Sequence, residues 1–261
     1  MKTSIYRLPL FALLFCVVIL NLKADPIQDL KKSLSGNDPS VRASVVQHFV
    51  ISLGTVNGQS LMAPAIPVLV EALSDPDANV RQIAISGLRG IAALTSRMVY
   101  PSITNAPDLT ADPSTQQALL KATSDSDPTV RELALEAYGI TYKMTPDLEQ
   151  KTIDAFNSYE PKHGQEDYRF ALLGTLVNDR SPSPVATKFI VQKIDDPKFG
   201  TPALQSLASL KEPPPDALPK LLSEAGQHNI SEDRKSALKM AAKAYGPDAQ
   251  AQVGQALANP R

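Results

Sequence analysis

The chain has 261 residues, of which 26 are Lys or Arg and 27 are Asp or Glu, and its net charge is −1. This balance argues against a general surface for nucleic acid or anionic membranes, because such surfaces concentrate positive charge. The single cysteine, Cys16, lies in the N-terminal segment. Without that segment the chain has no disulfide, thiol nucleophile or cysteine metal site.

The N-terminal segment has the pattern of a targeting signal. Lys2 and Arg7 precede an apolar run at 8–20, and Ala24 offers a small residue at a cleavage point. The run is shorter than the roughly 20 apolar residues that a membrane-spanning helix needs. We therefore expect residues 1–24 to be a signal peptide and the product to be exported, either periplasmic or extracellular. Retention of the segment as an uncleaved anchor is the alternative.

One short phrase, Asp-x-x-Val-Arg, occurs three times in the chain, at 38–42, 77–81 and 127–131. Aspartate is a preferred N-cap, because its carboxylate accepts from free backbone N–H groups of the first helical turn. Pro39 and Pro128 follow at the first helical position, where the missing N–H has no cost. Each copy of the phrase therefore predicts the start of a helix.

The residues after each valine follow a helical pattern. Apolar residues stand four, five and eight positions on: Val45, Val46 and Phe49, then Ala84, Ile85 and Leu88, then Ala134, Leu135 and Tyr138. This spacing is a wide helical stripe and not the alternation of a strand. Seven positions on, Gly87 and Ala137 are small enough for a neighbouring helix to approach closely. His48 takes this position in the first copy, and we expect it to be packed and hydrogen-bonded.

A further apolar helix is predicted before each phrase, at 27–34, 66–73 and 118–123. The unit is thus a helix, a tight turn with a new N-cap, and a second helix. A polar, proline-punctuated stretch at 101–113 is interpreted as a loop between units. Later units follow the pattern more loosely: Tyr168-Arg169 takes the Val-Arg position, and helices are predicted at 201–210, at 216–222 and from Ser231 to a stop at Gly246-Pro247.

A fixed phrase at recurring intervals indicates a repeat protein, and this one resembles the HEAT-repeat family. The resemblance implies an all-α fold, an α-solenoid of about five to six helical hairpins whose second helices line the concave side. We expect a HEAT-like, armadillo-like domain at 25–261, with units at roughly 25–54, 62–95, 113–143, 146–178, 182–211 and 214–258. The family also implies a structural ladder between adjacent repeats, which would pair Asp38, Asp77 and Asp127 with Arg42, Arg81 and Arg131.

The sequence offers little for catalysis. His48, His163 and His228 are far apart, and none is followed by glutamate. This separates the chain from the HEAT-like deoxyhypusine hydroxylases, which bind iron through His-Glu pairs. It contains no glycine-rich phosphate loop, Gly-x-Ser-x-Gly elbow or zinc spacing. We expect no catalytic residue, no metal and no cofactor, and therefore no enzyme.

We expect a non-catalytic scaffold or adaptor that binds a protein or peptide on the concave face. Positions two and six after each valine point away from the apolar stripe. The candidate contacts there are Gln82, Ser86, Glu132, Glu136, Phe170, Lys235 and Lys239. They run from neutral through acidic to basic, and Phe170 either contacts the partner or packs against a neighbouring helix. The alternative is an enzyme accessory or a small-ligand or pigment-binding protein similar to the phycobilin lyases. The oligomeric state stays open.

Overall fold

A computed structural model of the protein describes residues 25–95, 107–160, 167–178 and 181–260. The expected signal peptide, residues 101–106 of the predicted loop at 101–113 and His163 lie outside the described residues. Within those ranges the chain forms α-helices, short 3₁₀ segments and connecting turns, with no strand. The predicted all-α fold is confirmed.

Thirteen α-helices lie in the described ranges. They are α1 (Pro26–Leu34), α2 (Pro39–Leu53), α3 (Met62–Ala72), α4 (Ala78–Thr95), α5 (Pro113–Ala122), α6 (Pro128–Thr141), α7 (Pro146–Ser158), α8 (Arg169–Thr175), α9 (Pro184–Gln192), α10 (Gly200–Ser209), α11 (Ala217–Ala225), α12 (Glu232–Ala244) and α13 (Pro247–Ala258). The 3₁₀ segments are Val56–Leu61, Leu109–Ala111 and Lys193–Asp195. None of the described helices is long and apolar enough to cross a membrane.

The aspartates of the repeated phrase cap their helices. Asp38 Oδ1 accepts from Ser40 N at 2.8 Å, and Asp127 Oδ1 accepts from Val130 N at 2.9 Å. Asp77 Oδ1 accepts from the first turn of α4 in the same way. These bonds satisfy N–H groups that have no partner inside the helix.

The helices form two rows. The second helices α2, α4, α6, α8, α10 and α12 each pack on the next, and each also packs on its hairpin partner from the row α1, α3, α5, α7, α9 and α11. Helix α13 follows the sixth hairpin and packs on α11 and α12. The result is an α-solenoid of stacked helical hairpins. The predicted stop at Gly246-Pro247 ends α12, but Pro247 also starts a further helix, as proline can at a first helical position.

The apolar stripe forms the core between units. Val80 and Val130 are fully buried, as are the residues four and five positions after each of them. Val41, the first copy, is 52% exposed. The valine position faces the preceding unit, and no unit precedes α1 and α2 in the described part of the chain. His48 is exposed for the same reason, so the prediction of a packed histidine is wrong; its Nδ1 lies 2.7 Å from Ser44 O.

Gly87 packs closely against α2 of the preceding unit and α3 of its own unit. A Cβ added there would lie 2.7 Å from Val50 Cγ2 and 3.0 Å from Leu69 Cδ1. Glycine therefore sets how near α4 can come to α2 and α3. Gly90, three residues on, has no such neighbour within 4 Å.

Candidate functional site

Two arginines bridge adjacent units through buried, bidentate ion pairs. Arg42 Nε and Nη2 donate to the two carboxylate oxygens of Asp75, both at 2.8 Å. Arg81 repeats this one unit later, with Nε and Nη2 donating to Asp125 at 2.9 and 2.7 Å. In each pair the arginine lies on a second helix and the aspartate lies in the turn of the next unit. The hydrogen bonds raise the pKa of Arg42 and Arg81 against the opposing effect of burial.

The prediction that the cap aspartates pair with the arginines of the ladder is wrong. The cross-repeat partners are Asp75 and Asp125, which stand two residues before the cap aspartates Asp77 and Asp127. The cap carboxylates are occupied by the first turns of their own helices. The earlier aspartates also accept from the backbone N of the cap residue, at 2.8 and 2.9 Å. This second bond orients each carboxylate toward the arginine of the preceding unit.

The third arginine has no such partner. Arg131 Nη1 donates to the carbonyl oxygens of Asp125 and Ser126 in its own turn, at 2.8 and 3.0 Å. It forms no ion pair with a following unit within the described residues. The predicted pairing of Arg131 in the ladder is therefore wrong.

The second helices share one side, which we call the second-helix face. In the later units, the position of the valine is taken by Tyr168, Phe199 and Asp233. The face consists of the residues two, six and ten positions after the valine or the residue that replaces it. From α4 to α12 these are Gln82, Ser86, Gly90, Glu132, Glu136, Ile140, Phe170, Gly174, Asn178, Thr201, Gln205, Ser209, Lys235, Lys239 and Lys243. Because consecutive second helices pack side by side, the face runs along the solenoid.

The neutral part of this face is half-buried and internally bonded. Gln82 Nε2 donates to the cap carboxylate of Asp127 at 3.1 Å. Ser86 Oγ donates to Gln82 O at 2.9 Å. Both side chains keep some exposure to solvent. Gln82 thus connects its unit to the next as well as lining the face.

The acidic part of the face is not free charge. Glu132 and Glu136 are each only 8% exposed. Arg89 Nη1 donates to both carboxylate oxygens of Glu136 at 2.9 and 2.8 Å, which joins α4 to α6. The expected acidic zone is corrected accordingly: both carboxylates are nearly buried, and that of Glu136 is neutralised by Arg89.

Phe170 is both packed and exposed. Its ring lies 5.0 Å from the ring of Phe199, yet 42% of the residue remains accessible. Lys198 Nζ lies 5.6 Å from the centre of the Phe170 ring and donates to Asp167 at 2.5 Å. Hydrogen bonds from Arg169, opposed by burial and helped by Lys198, hold the pKa of Asp167 well below its usual range.

The basic part of the face lies on α12. Lys235 is half-buried and pairs with Glu232 at 2.7 Å. Lys239 and Lys243 are exposed and have no hydrogen-bond or ion-pair partner among the described residues. The exposed side chain of Met240 stands beside them. On the second-helix face these two lysines are therefore free positive charges.

Sequence reasoning missed an aromatic and cationic cluster under Phe170. The guanidinium of Arg169 lies 4.8 Å from the ring centre of Phe199 and within 6 Å of those of Tyr159 and Phe156. The rings of Phe156 and Phe199 meet edge to face at 4.8 Å. The signal was a local excess of Phe and Tyr between 156 and 199. Their packing holds Arg169 and Phe170 in place at the start of α8.

The described residues hold no group of three or more His, Cys, Asp or Glu side chains that could bind a metal ion. The larger depressions are open grooves between helices. One of about 820 Å³ lies between α11 and α13, and one of about 480 Å³ lies between the α5–α6 turn and α7. The geometry is that of an extended surface.

Comparison with family models matches the repeat units themselves. The model described as "HEAT repeat" matches residues 65–94, which span α3 and α4. The model described as "HEAT repeat associated with sister chromatid cohesion" matches 27–47 and 106–137. The chain therefore contains HEAT repeats. The matched HEAT repeats are the first three units, which carry the Asp-x-x-Val-Arg phrase.

Solved structures are similar to these HEAT repeats in fold. An engineered protein has a TM-score of 0.56 at 15% identity, with 89% of this chain and 98% of that chain covered. A designed armadillo repeat protein has a TM-score of 0.55 at 18% identity, covering 84% and 99%. Another designed armadillo repeat protein, in complex with the peptide (KR)4, has a TM-score of 0.57 at 18% identity, covering 85% and 100%. No curated protein matches the sequence.

Proposed function

We propose that the protein is an exported, non-catalytic scaffold that binds a protein or peptide on the second-helix face. The observation that carries this proposal is Phe170, a large apolar side chain that stays 42% exposed on the second-helix face. Exposed aromatic side chains fixed by their surroundings are frequent anchors in protein interfaces. Here the rings and cations under Phe170 fix it before any partner arrives.

The charges around this anchor indicate the partner's chemistry. Lys239 and Lys243 are free on α12, whereas Glu136 is neutralised by Arg89. The uncompensated charge of the face is therefore positive toward the C-terminal end. Complementary charge guides association and selects partners. The partner that fits is a segment with acidic residues flanking an apolar one.

The comparison with solved structures supports a peptide partner in general terms. One designed armadillo repeat protein of similar fold was solved with the peptide (KR)4. That peptide is basic, and the free lysines of this chain would repel it. The proposed partner therefore has the opposite charge.

Export is part of the proposal and rests on the sequence of residues 1–24. A positive start, a short apolar run and a small residue at 24 together form a signal for secretion. The partner is then an envelope or extracellular protein.

Two pairs of matched variants test the face. Binding partners are selected from acidic, aromatic-containing peptides and measured by calorimetry. Phe170→Ala is expected to weaken binding by more than about 1 kcal/mol. Val185, an apolar residue on α9, is even more exposed, and Val185→Ala is expected to leave binding unchanged. The double reversal Lys239→Glu and Lys243→Glu is compared with Lys31→Glu and Lys32→Glu on α1, which makes the same change in net charge.

Loss of binding in both face variants, with both controls intact and melting temperatures preserved, would support the proposal. Equal losses in the α1 and α12 charge variants would mean that only net charge matters. Retention of binding by Phe170→Ala would remove the anchor from the account, and a lower melting temperature with intact binding would make it a core residue.

A further inference from the structure

The Asp-x-x-Val-Arg phrase occurs three times, but its arginine forms an ion pair with the next unit only twice among the described residues. The arginines of the phrase are Arg42, Arg81 and Arg131. Among the described residues, only the first two form an ion pair with an aspartate of the next unit. In both of those pairs the Nε and Nη2 atoms hold the two carboxylate oxygens. The same two atoms of Arg131 have no acceptor among the described residues.

The free guanidinium is nevertheless held as in the complete pairs. Arg81 Nη1 donates to the carbonyl oxygens of Asp75 and Pro76 at 2.9 and 3.0 Å. Arg131 Nη1 donates to the equivalent carbonyl oxygens, those of Asp125 and Ser126, at 2.8 and 3.0 Å. These bonds fix the side chain of Arg131 before any ligand arrives. Preorganisation of this kind lowers the entropy lost on binding.

The sequence of the fourth unit differs where its first helix ends. Ser74 and Ser124 end their turns immediately before the bridging aspartates Asp75 and Asp125. In the fourth unit Ser158 is followed by Tyr159, which has no carboxylate. The ring of Tyr159 instead lies 5.5 Å from the guanidinium of Arg169.

An open groove adjoins the free arginine. It has a volume of about 480 Å³ and lies between the α5–α6 turn and α7, with Arg131, Thr123, Leu135, Lys151 and Ala155 among its lining residues. A carboxylate-bearing side chain and part of its backbone fit this volume. Leu135 and Ala155 supply apolar surface for the stem of such a side chain.

Two carboxylates also line the groove and limit its affinity for anions. Asp154 is exposed and accepts from Gln150 Nε2 at 2.9 Å, and Glu132 is nearly buried. The ammonium of Lys151 lies 3.1 Å from Asp147 on the same helix and is partly exposed. Because Arg131 and Lys151 are balanced by Asp154 and Glu132, net charge does not attract an anion to the groove. A carboxylate would be recognised there by the geometry of its hydrogen bonds.

We infer that this groove binds an aspartate or glutamate side chain of a partner, whose carboxylate takes the place of the missing aspartate of the ladder. Two parallel N–H···O bonds from one guanidinium recognise a planar carboxylate specifically, which a lysine in the same place would not do. The site lies at the turns between the third and fourth units and does not depend on binding at Phe170 or α12.

The test uses the chain's own turn as the probe. A peptide with the sequence of residues 73–78 (Leu-Ser-Asp-Pro-Asp-Ala), blocked at both ends, is titrated into the ¹⁵N-labelled protein. The Nε–Hε signals of the arginines are followed by NMR. We expect the Arg131 signal to shift saturably with a dissociation constant on the order of 1 mM. The Arg42 and Arg81 signals should stay in place, because their carboxylates are already bound.

Three comparisons decide the result. The peptide with Asp75→Asn should bind at least fivefold more weakly, and so should the wild-type peptide to an Arg131→Lys protein of unchanged melting temperature. A titration with acetate in place of the peptide separates recognition of a lone carboxylate from recognition of the turn. A saturable shift of the Arg131 signal with either probe supports the site. Equal shifts with the Asp and Asn peptides, or no shift of Arg131 with the peptide and acetate, would overturn the inference. Phe170→Ala should leave this titration unchanged, so failure here is distinguishable from failure of the second-helix face.

Discussion

Removal of Asp125 tests how far the cross-repeat ladder stabilises the solenoid. The side chains of Arg81 and Asp125 are 11% and 15% exposed, and two bonds of 2.9 and 2.7 Å join them. Breaking a buried pair by removing one partner costs about 3–5 kcal/mol, because the remaining charge is left uncompensated. Residual exposure places Asp125→Ala at the lower end, about 3 kcal/mol. At about 2–4 °C per kcal/mol for a protein of this size, the melting temperature should fall by about 6–12 °C.

The pair also predicts the direction of the pH dependence. Burial alone would raise the pKa of Asp125, but hydrogen bonds from Arg81 and from the backbone N of Asp127 outweigh it and lower the pKa. A lowered pKa in the folded state gives stability that is present above the unfolded value of about 3.9 and is lost as the pH falls through the folded pKa. Urea denaturation between pH 7 and pH 3 should therefore show a weaker acid dependence for Asp125→Ala than for the wild type.

Asp147→Ala is the matched control, since Asp147 pairs with Lys151 on an exposed helix surface. An exposed pair of this kind contributes about 0.5 kcal/mol or less. Arg81→Leu combined with Asp125→Leu should be less destabilising than either single change, because neither charge is left buried alone. A loss for Asp125→Ala no larger than for Asp147→Ala would refute the ladder as a stabilising element.

Three further changes have definite expected outcomes. Gly87→Ala should destabilise the protein by about 1–3 kcal/mol, because the added Cβ has no room against α2 and α3. Gly90→Ala lies in open space on the same helix and should stabilise the protein by roughly 0.5–1 kcal/mol. Equal melting temperatures of the two variants would contradict this packing. Asp127→Ala should cost roughly 0.5–2 kcal/mol as a lost cap, and Val130→Ala about 1–3 kcal/mol as lost core, without effect on any partner. Intact-mass measurement of the exported protein should give a start at about Asp25; a retained Met1 in the membrane fraction would exclude cleavage.

The fold could be predicted from sequence because its determinants are local. Asp38 and Asp127 with the prolines after them mark helix starts, and the stripe after each valine marks the buried side. What failed depends on position in the stack. Val41 and His48 occupy positions that are buried in later units, but no preceding unit in the described residues covers them.

The candidate site was less predictable because it depends on neighbours. The repeated phrase contains Asp77 and Asp127, but the cross-repeat partners are Asp75 and Asp125, two residues earlier. Their carboxylates reach the arginines only because the turns of adjacent units pack together. Glu132 and Glu136 are on the predicted helix positions, yet packing on both sides buries them. The aromatic cluster around Arg169 combines residues from 156 to 199, and no spacing rule joins such distant positions.

Hydrogen exchange of the protein with and without a selected acidic peptide tests the central claim most directly. The peptide should slow exchange at the start of α8 around Phe170 and along α12 around Lys239 and Lys243. The first helices α9 and α11, which belong to the same units, should exchange at unchanged rates. Protection confined to the first-helix row, with none on α8 or α12, would contradict the assignment of the second helices as the binding face.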